Sequence, residues 1–135
     1  MTRDEVMAMT DEELRIKAAE LMGWDECSPK DTYVNAPIGR PPDEWLEGKN
    51  IINTPGLIPV GGKRVVIPDY PNDIAAAWEL AEKMRGDDKS VWVDVFANAN
   101  GWEVEIDDDS TSSIEGDTAA CAITRAFILA KEATD

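Results

Sequence analysis

Residues 91–106 alternate apolar and polar side chains on either side of an Asn100-Gly101 dipeptide. Asn-Gly suits a two-residue type I′ turn, whose central positions both need positive φ. The pattern predicts a β-hairpin over 91–97 and 102–106, with Ala99 opposite Trp102, Ala97 opposite Val104 and Val95 opposite Ile106. Those residues share one face with Val91 and Val93, and Asp94, Glu103 and Glu105 share the other with Trp92 and Phe96. A lone hairpin with an apolar face is marginal in water, so the rest of the chain must cover it.

Three main helices are predicted, over about 11–22, 73–85 and 117–131. Thr10 and Glu13 form a capping-box pattern for the first, followed by Leu14, Ala18, Leu21 and Met22 and closed by Gly23. Thr2 and Glu5 repeat the box for a short turn carrying Val6 and Met9. Asn72 or Asp73 caps the second helix after the extended entry of Arg64-Val65-Val66-Ile67-Pro68. Its buried face is expected to hold Ile74, Ala77, Trp78, Ala81 and Met84. Asp117-Thr118 caps the third, whose broad apolar surface from Ala119 to Ala130 implies deep packing, with Cys121 as a buried free thiol. Residues 107–116 read as an acidic, serine-rich connection.

The stretch 25–67 holds six of the eight prolines and five of the nine glycines. Proline removes amide donors and disfavours helix in the residue before it. The stretch 25–63 therefore reads as a long Pro/Gly-rich loop or insertion, with a helical turn after Pro42 and one edge strand near 57–60. Loops of this length in compact domains are often functional. The element order predicts one α+β domain over 1–135, a small sheet covered by helices.

The net charge is −15. Residues 91–135 carry 10 acids against 2 bases, whereas 25–67 carry 6 acids against 5 bases. Nucleic acid is a disfavoured partner, because neutralising phosphates needs a basic face. There is no histidine, so imidazole zinc sites and Ser-His or Cys-His pairs within the chain are excluded. No apolar run suggests a signal peptide or a membrane span, and the expected partners exclude membranes.

Several constellations bear on chemistry. Asp107-Asp108-Asp109-Ser110 lacks EF-hand spacing and reads as a solvated acidic loop, so no metal is assigned. Residues 56–64 resemble a phosphate loop, but Lys63 comes one position late and Arg64 replaces the Mg²⁺-holding Ser or Thr. Tyr33, Arg40, Trp45, Lys49, Lys63 and Arg64 form a candidate set for a small anionic ligand, through stacking and charge. Trp24, Trp78 and Trp102 are expected in the core. Trp92 and Phe96 are candidates for a protein-contact patch. No carboxylate pair is singled out by position, and the expectation is a non-enzymatic protein without a cofactor.

Three blocks resemble the phage ABA-sandwich domain family. They are Met1-Thr2-Arg3-Asp4-Glu5 through Met22-Gly23-Trp24, then Pro68-Asp69-Tyr70 through Met84 with Asp73-Ile74-Ala75-Ala76-Ala77-Trp78 at its centre, then Gly116-Asp117-Thr118-Ala119-Ala120 through Ile123-Thr124-Arg125-Ala126 with the apolar run after it. The resemblance implies an α-β-α layered sandwich, a bacteriophage or prophage origin and the cytoplasm of the infected bacterium. It implies no catalytic residues, and the family pattern does not explain 25–67. Three functional expectations follow. The first is a binding protein that engages a host or phage protein, in host interaction or counter-defence. The second is a sponge-like binder of a small ligand or nucleotide signal that uses 25–64. The third is a virion or assembly component. Self-association is expected too, because an apolar strand edge needs cover.

Overall fold

In the computed structural model the described residues are 2–29, 35–46, 59–60, 64–86, 92–99, 101–106 and 109–133. Their helices are α1 (Arg3–Met7), α2 (Asp11–Leu21), α3 (Asp43–Leu46), α4 (Ile74–Arg85) and α5 (Ala119–Ala133). Their strands are β1 (Asp25–Ser28), β2 (Ile38–Arg40), β3 (Pro59–Val60), β4 (Arg64–Val66), β5 (Val93–Asn98), β6 (Gly101–Ile106) and β7 (Asp109–Gly116). They form two antiparallel sheets, in the orders β1-β2-β4-β3 and β5-β6-β7. The result is an α+β sandwich-like fold.

Local chemistry starts the helices where the sequence says. Both capping boxes form: Glu5 N–H donates to Thr2 Oγ1 at 3.2 Å and Glu13 N–H to Thr10 Oγ1 at 3.2 Å, and each glutamate accepts from its cap's own amide. Asp73 caps α4 by accepting from Ala75 N–H at 3.0 Å, and Thr118 caps α5 by accepting from Cys121 N–H at 3.1 Å. Such caps contribute about 1 kcal/mol each.

The core centres on α5, which touches all three strands of the second sheet and also α1, α2 and α4. Helix partners and sheet partners between them cover most of its circumference. Ala120, Cys121, Ala122, Ile123, Thr124, Ala126, Phe127 and Ile128 are all buried. Thr124 satisfies its buried hydroxyl by donating to Ala120 O at 2.8 Å. Two polar ties fix α2: Lys17 pairs with Glu132 of α5 at 2.6 Å, and Arg15 donates through Nε, at 2.9 Å, and Nη2 to the Ile67 carbonyl beyond β4. No helix among the described residues is long and apolar enough to cross a membrane.

Four expectations need correction. First, α4 is rotated: Ala76, Ala77, Leu80, Ala81 and Met84 are buried, while Ile74 and Trp78 are 53% and 52% exposed. The alanine face permits close approach to α5, and the bulky indole is turned to the open side. Trp102, at 37%, is also outside the core, whereas Trp24 is buried at 4%. Trp78→Ala should therefore cost no more than about 1 kcal/mol, against the 3–5 kcal/mol of a buried Trp, in denaturant melts at unchanged m-value.

Second, the hairpin register differs by two residues. Asn98 pairs with Gly101, Ala97 with Trp102, Val95 with Val104 and Val93 with Ile106. The slip is even, so every side chain keeps its predicted face. Gly101 serves β7 rather than the turn: with φ +140° it lies so close to β7 that an added Cβ would stand 2.8 Å from Gly116 O. Third, 109–116, expected as part of a connection, forms β7, whose Ile114 is fully buried. Fourth, β1 and β2 form within 25–40 where loop was expected, while α3 after Pro42 and β3 near 57–60 match the expected helical turn and edge strand.

Tyr70 is fully buried, yet its hydroxyl has no hydrogen-bond partner among the described residues. Burial, then the nearby Glu79 and Cys27, push its ionisation well above the ordinary 10.0. Burial likewise pushes the Cys27 thiol up to about 11 from 9.0. Both groups stay neutral in the folded chain while the unfolded chain ionises. Their stabilisation is complete below those ordinary values and is lost progressively above them, for Cys27 between pH 9.0 and about 11. Tyr70→Phe removes the unpartnered hydroxyl. It should leave stability at pH 7 equal or raised by about 1 kcal/mol, and it should flatten the decline above pH 10.0 in pH-dependent melts.

Candidate functional site

The sequence candidates fall in three places. Tyr33, Lys49 and Lys63 lie outside the described residues. Trp45 is half-buried and packs edge-on to Trp24, with ring centroids 5.0 Å apart and planes at 68°. Its indole N–H donates to Glu79 Oε2 at 3.3 Å. These contacts tie α3 to α4 and to Trp24.

Arg40 and Arg64 do come together. The register pairs Ile38 with Val66 and Gly39 with Val65, which sets Arg40 across from Arg64. Asp25 pairs with Arg40 on one side and Val60 with Arg64 on the other. Two guanidinium-bearing residues thus share one row of the first sheet, flanked by one carboxylate.

The face of β5-β6-β7 turned away from α5 has a different character. Strand alternation puts Val104 and Ile114 on the α5 side, and both are fully buried. The opposite side carries Asp94 and Phe96 on β5, Glu103 and Glu105 on β6, and Glu115 on β7. Asp94 pairs directly with Glu105, and Phe96, Glu103 and Glu115 form one row across the sheet. Like charges directly opposite one another destabilise a sheet. Two such juxtapositions, Asp94 with Glu105 and Glu103 with Glu115, lie side by side here.

The surrounding sequence supplies no countercharge. Between Lys89 and Arg125 there are eight acids and no Lys or Arg. Arg125 is committed to the helix side, where Nη1 donates to the Glu115 carbonyl at 2.8 Å. No ion pair among the described residues neutralises the four carboxylates. Trp92, just before β5, is 72% exposed and Phe96 is 37% exposed. An acidic sheet face edged by exposed aromatic rings can bind cationic groups by charge and by ring contact.

The acidic run 107–110, to which no metal is assigned, is only partly described. Asp107 and Asp108 lie outside the described residues and Asp109 pairs with Ile106 in the ladder. Among the described residues no three Cys, Asp or Glu converge as metal ligands. An open cleft of about 430 Å³ lined by Met22, Glu79, Glu82, Lys83, Gly86 and Lys131 lies on the helix side, away from Arg40 and Arg64.

With this geometry in view, the profile of the phage ABA sandwich domain matches residues 15–128. The chain belongs to that family. The matched range contains both sheets, the whole of α4 and about two thirds each of α2 and α5, and it includes 25–67. No curated protein and no solved structure matches the chain. Family membership accounts for the sandwich-like fold and for its phage character. The carboxylate rows emerge only from the pairing register: the composition of 91–135 signals acidity, but β7 had to be recognised before Glu115 could be set beside Glu103.

Proposed function

We propose that this phage-family domain is a non-enzymatic binding protein that docks a host or phage protein on the open face of β5-β6-β7. The observation that carries this reading is the pair of like-charge juxtapositions, un-neutralised among the described residues, with exposed Trp92 and Phe96 close by. A face that is electrostatically unfavourable in the free chain gains when a cationic partner covers it. Host interaction or counter-defence in the cytoplasm of the infected bacterium is the natural setting for such a protein; that step rests on family character.

The test is affinity capture from lysate of the host bacterium, comparing the native chain with a Trp92→Ser/Phe96→Ser variant of matched thermal midpoint. The reading expects a specific protein retained by the native chain and lost from the variant. Capture that the variant leaves unchanged, or no specific protein at all, contradicts it.

A second reading has its own observation. The Arg40–Arg64 row suits a small anion such as a nucleotide phosphate. It expects a thermal shift with some member of a nucleotide panel, abolished in Arg40→Ala/Arg64→Ala. Silence across the panel removes it.

A further inference from the structure

The sheet face has a free side as well as a charge. β5 is the end strand of its sheet, so among the described residues every second N–H and C=O along it points away from β6. Asp94 and Phe96 lie on one side of β5, and Trp92, exposed just before the strand, continues their period-two spacing in the sequence, aromatic, acidic, aromatic. A strand added along this edge would place alternate side chains over the same face. There they would meet Trp92 and Phe96 rings and the Asp94 and Glu105 carboxylates. Guanidinium is the group that serves both, because it stacks on an aromatic face and pairs with carboxylate in fixed fork geometry.

We propose that the partner binds as an extended segment with arginine at alternate positions, adding as an outer strand to β5. This rests on the docking face proposed above and specifies its ligand. Main-chain bonds to the β5 edge would supply affinity and the alternating arginines specificity. A helix bearing the same charges would match the acids but not the period-two spacing.

The probe is a synthetic peptide alternating Arg and Thr, cut to the length of β5, against an isomer with its arginines in one block and an alternating Lys-Thr peptide. Binding is read by fluorescence anisotropy, and its location by amide shifts in NMR spectra of the full chain. The alternating Arg peptide should bind about tenfold tighter than either control, with shifts concentrated in Val93–Asn98. Trp92→Ser/Phe96→Ser should weaken it about tenfold. Asp94→Asn/Glu105→Gln, which keeps side-chain shape and should preserve folding, should do the same. Equal binding of the blocked isomer would reveal bare charge attraction and overturn the proposal, as would no binding or shifts away from β5. If the peptides fail while host-protein capture still depends on Trp92 and Phe96, the docking face stands and the extended arginine segment falls.

Discussion

Gly116→Ala is expected to lower stability by about 3 kcal/mol, seen as a fall of roughly 10 °C in the unfolding midpoint. Gly116 ends β7 where the chain turns under the start of α5. A Cβ built there stands 2.5 Å from Ala122 N, 2.9 Å from Ala122 Cα and 3.1 Å from Cys121 C. All three are backbone atoms of α5, so no side chain can swing aside. Either α5 shifts, disturbing its packing on the sheet, or β7 peels back, breaking the Trp102–Gly116 pairing. Alanine at Gly39 would instead meet the Cys27 sulfur at 2.9 Å and Trp24 Cε3 at 3.2 Å, side-chain atoms that can relax. It should cost less, which makes it the internal control.

Phe127→Ala should have an effect of similar size by the opposite route. Phe127 is fully buried on α5, and only Tyr70 precedes it in size among the fully buried side chains of the described residues. Its removal takes away apolar contact and leaves a cavity that the surrounding residues fill only in part. Changes of this kind cost about 3–5 kcal/mol, a large share of the 5–15 kcal/mol that holds a typical domain together. The measurement is denaturant unfolding at pH 7, where the midpoint should fall while the m-value stays constant. A loss below about 1 kcal/mol would mean that α5 is not the centre of the core.

Both predictions depend on elements that the sequence showed unequally. Thr10, Asp73 and Thr118 announced their helices because capping is settled within three or four residues. The face of α4 was misread for a physical reason. Trp78 is the largest apolar side chain on the helix, and pattern reading favours size. Close packing against α5 instead selects the small residues Ala76, Ala77 and Ala81. β7 is hard to see in the sequence because Ile114 is its one large apolar residue among Asp, Ser, Thr, Glu and Gly. β1 and β2 are four and three residues long, and distant partners hold them, so local pattern carries little trace of them. The hairpin was legible in its faces but slipped by two, since Asn100-Gly101 states a turn preference while the pull of β7 on Gly101 is non-local. The candidate face followed the same division. Its acids and aromatics were evident in composition, but which carboxylates oppose one another awaited the register.

The docking face is tested most directly by hydrogen exchange on the native chain bound to the host protein it captures. The account predicts that binding slows exchange in β5 and its β6 partners, Val93–Asn98 and Gly101–Ile106, and leaves the Arg40–Arg64 row unchanged. Protection centred on that row or on the cleft by Lys83 and Lys131, with β5 exchanging as in the free protein, would contradict it.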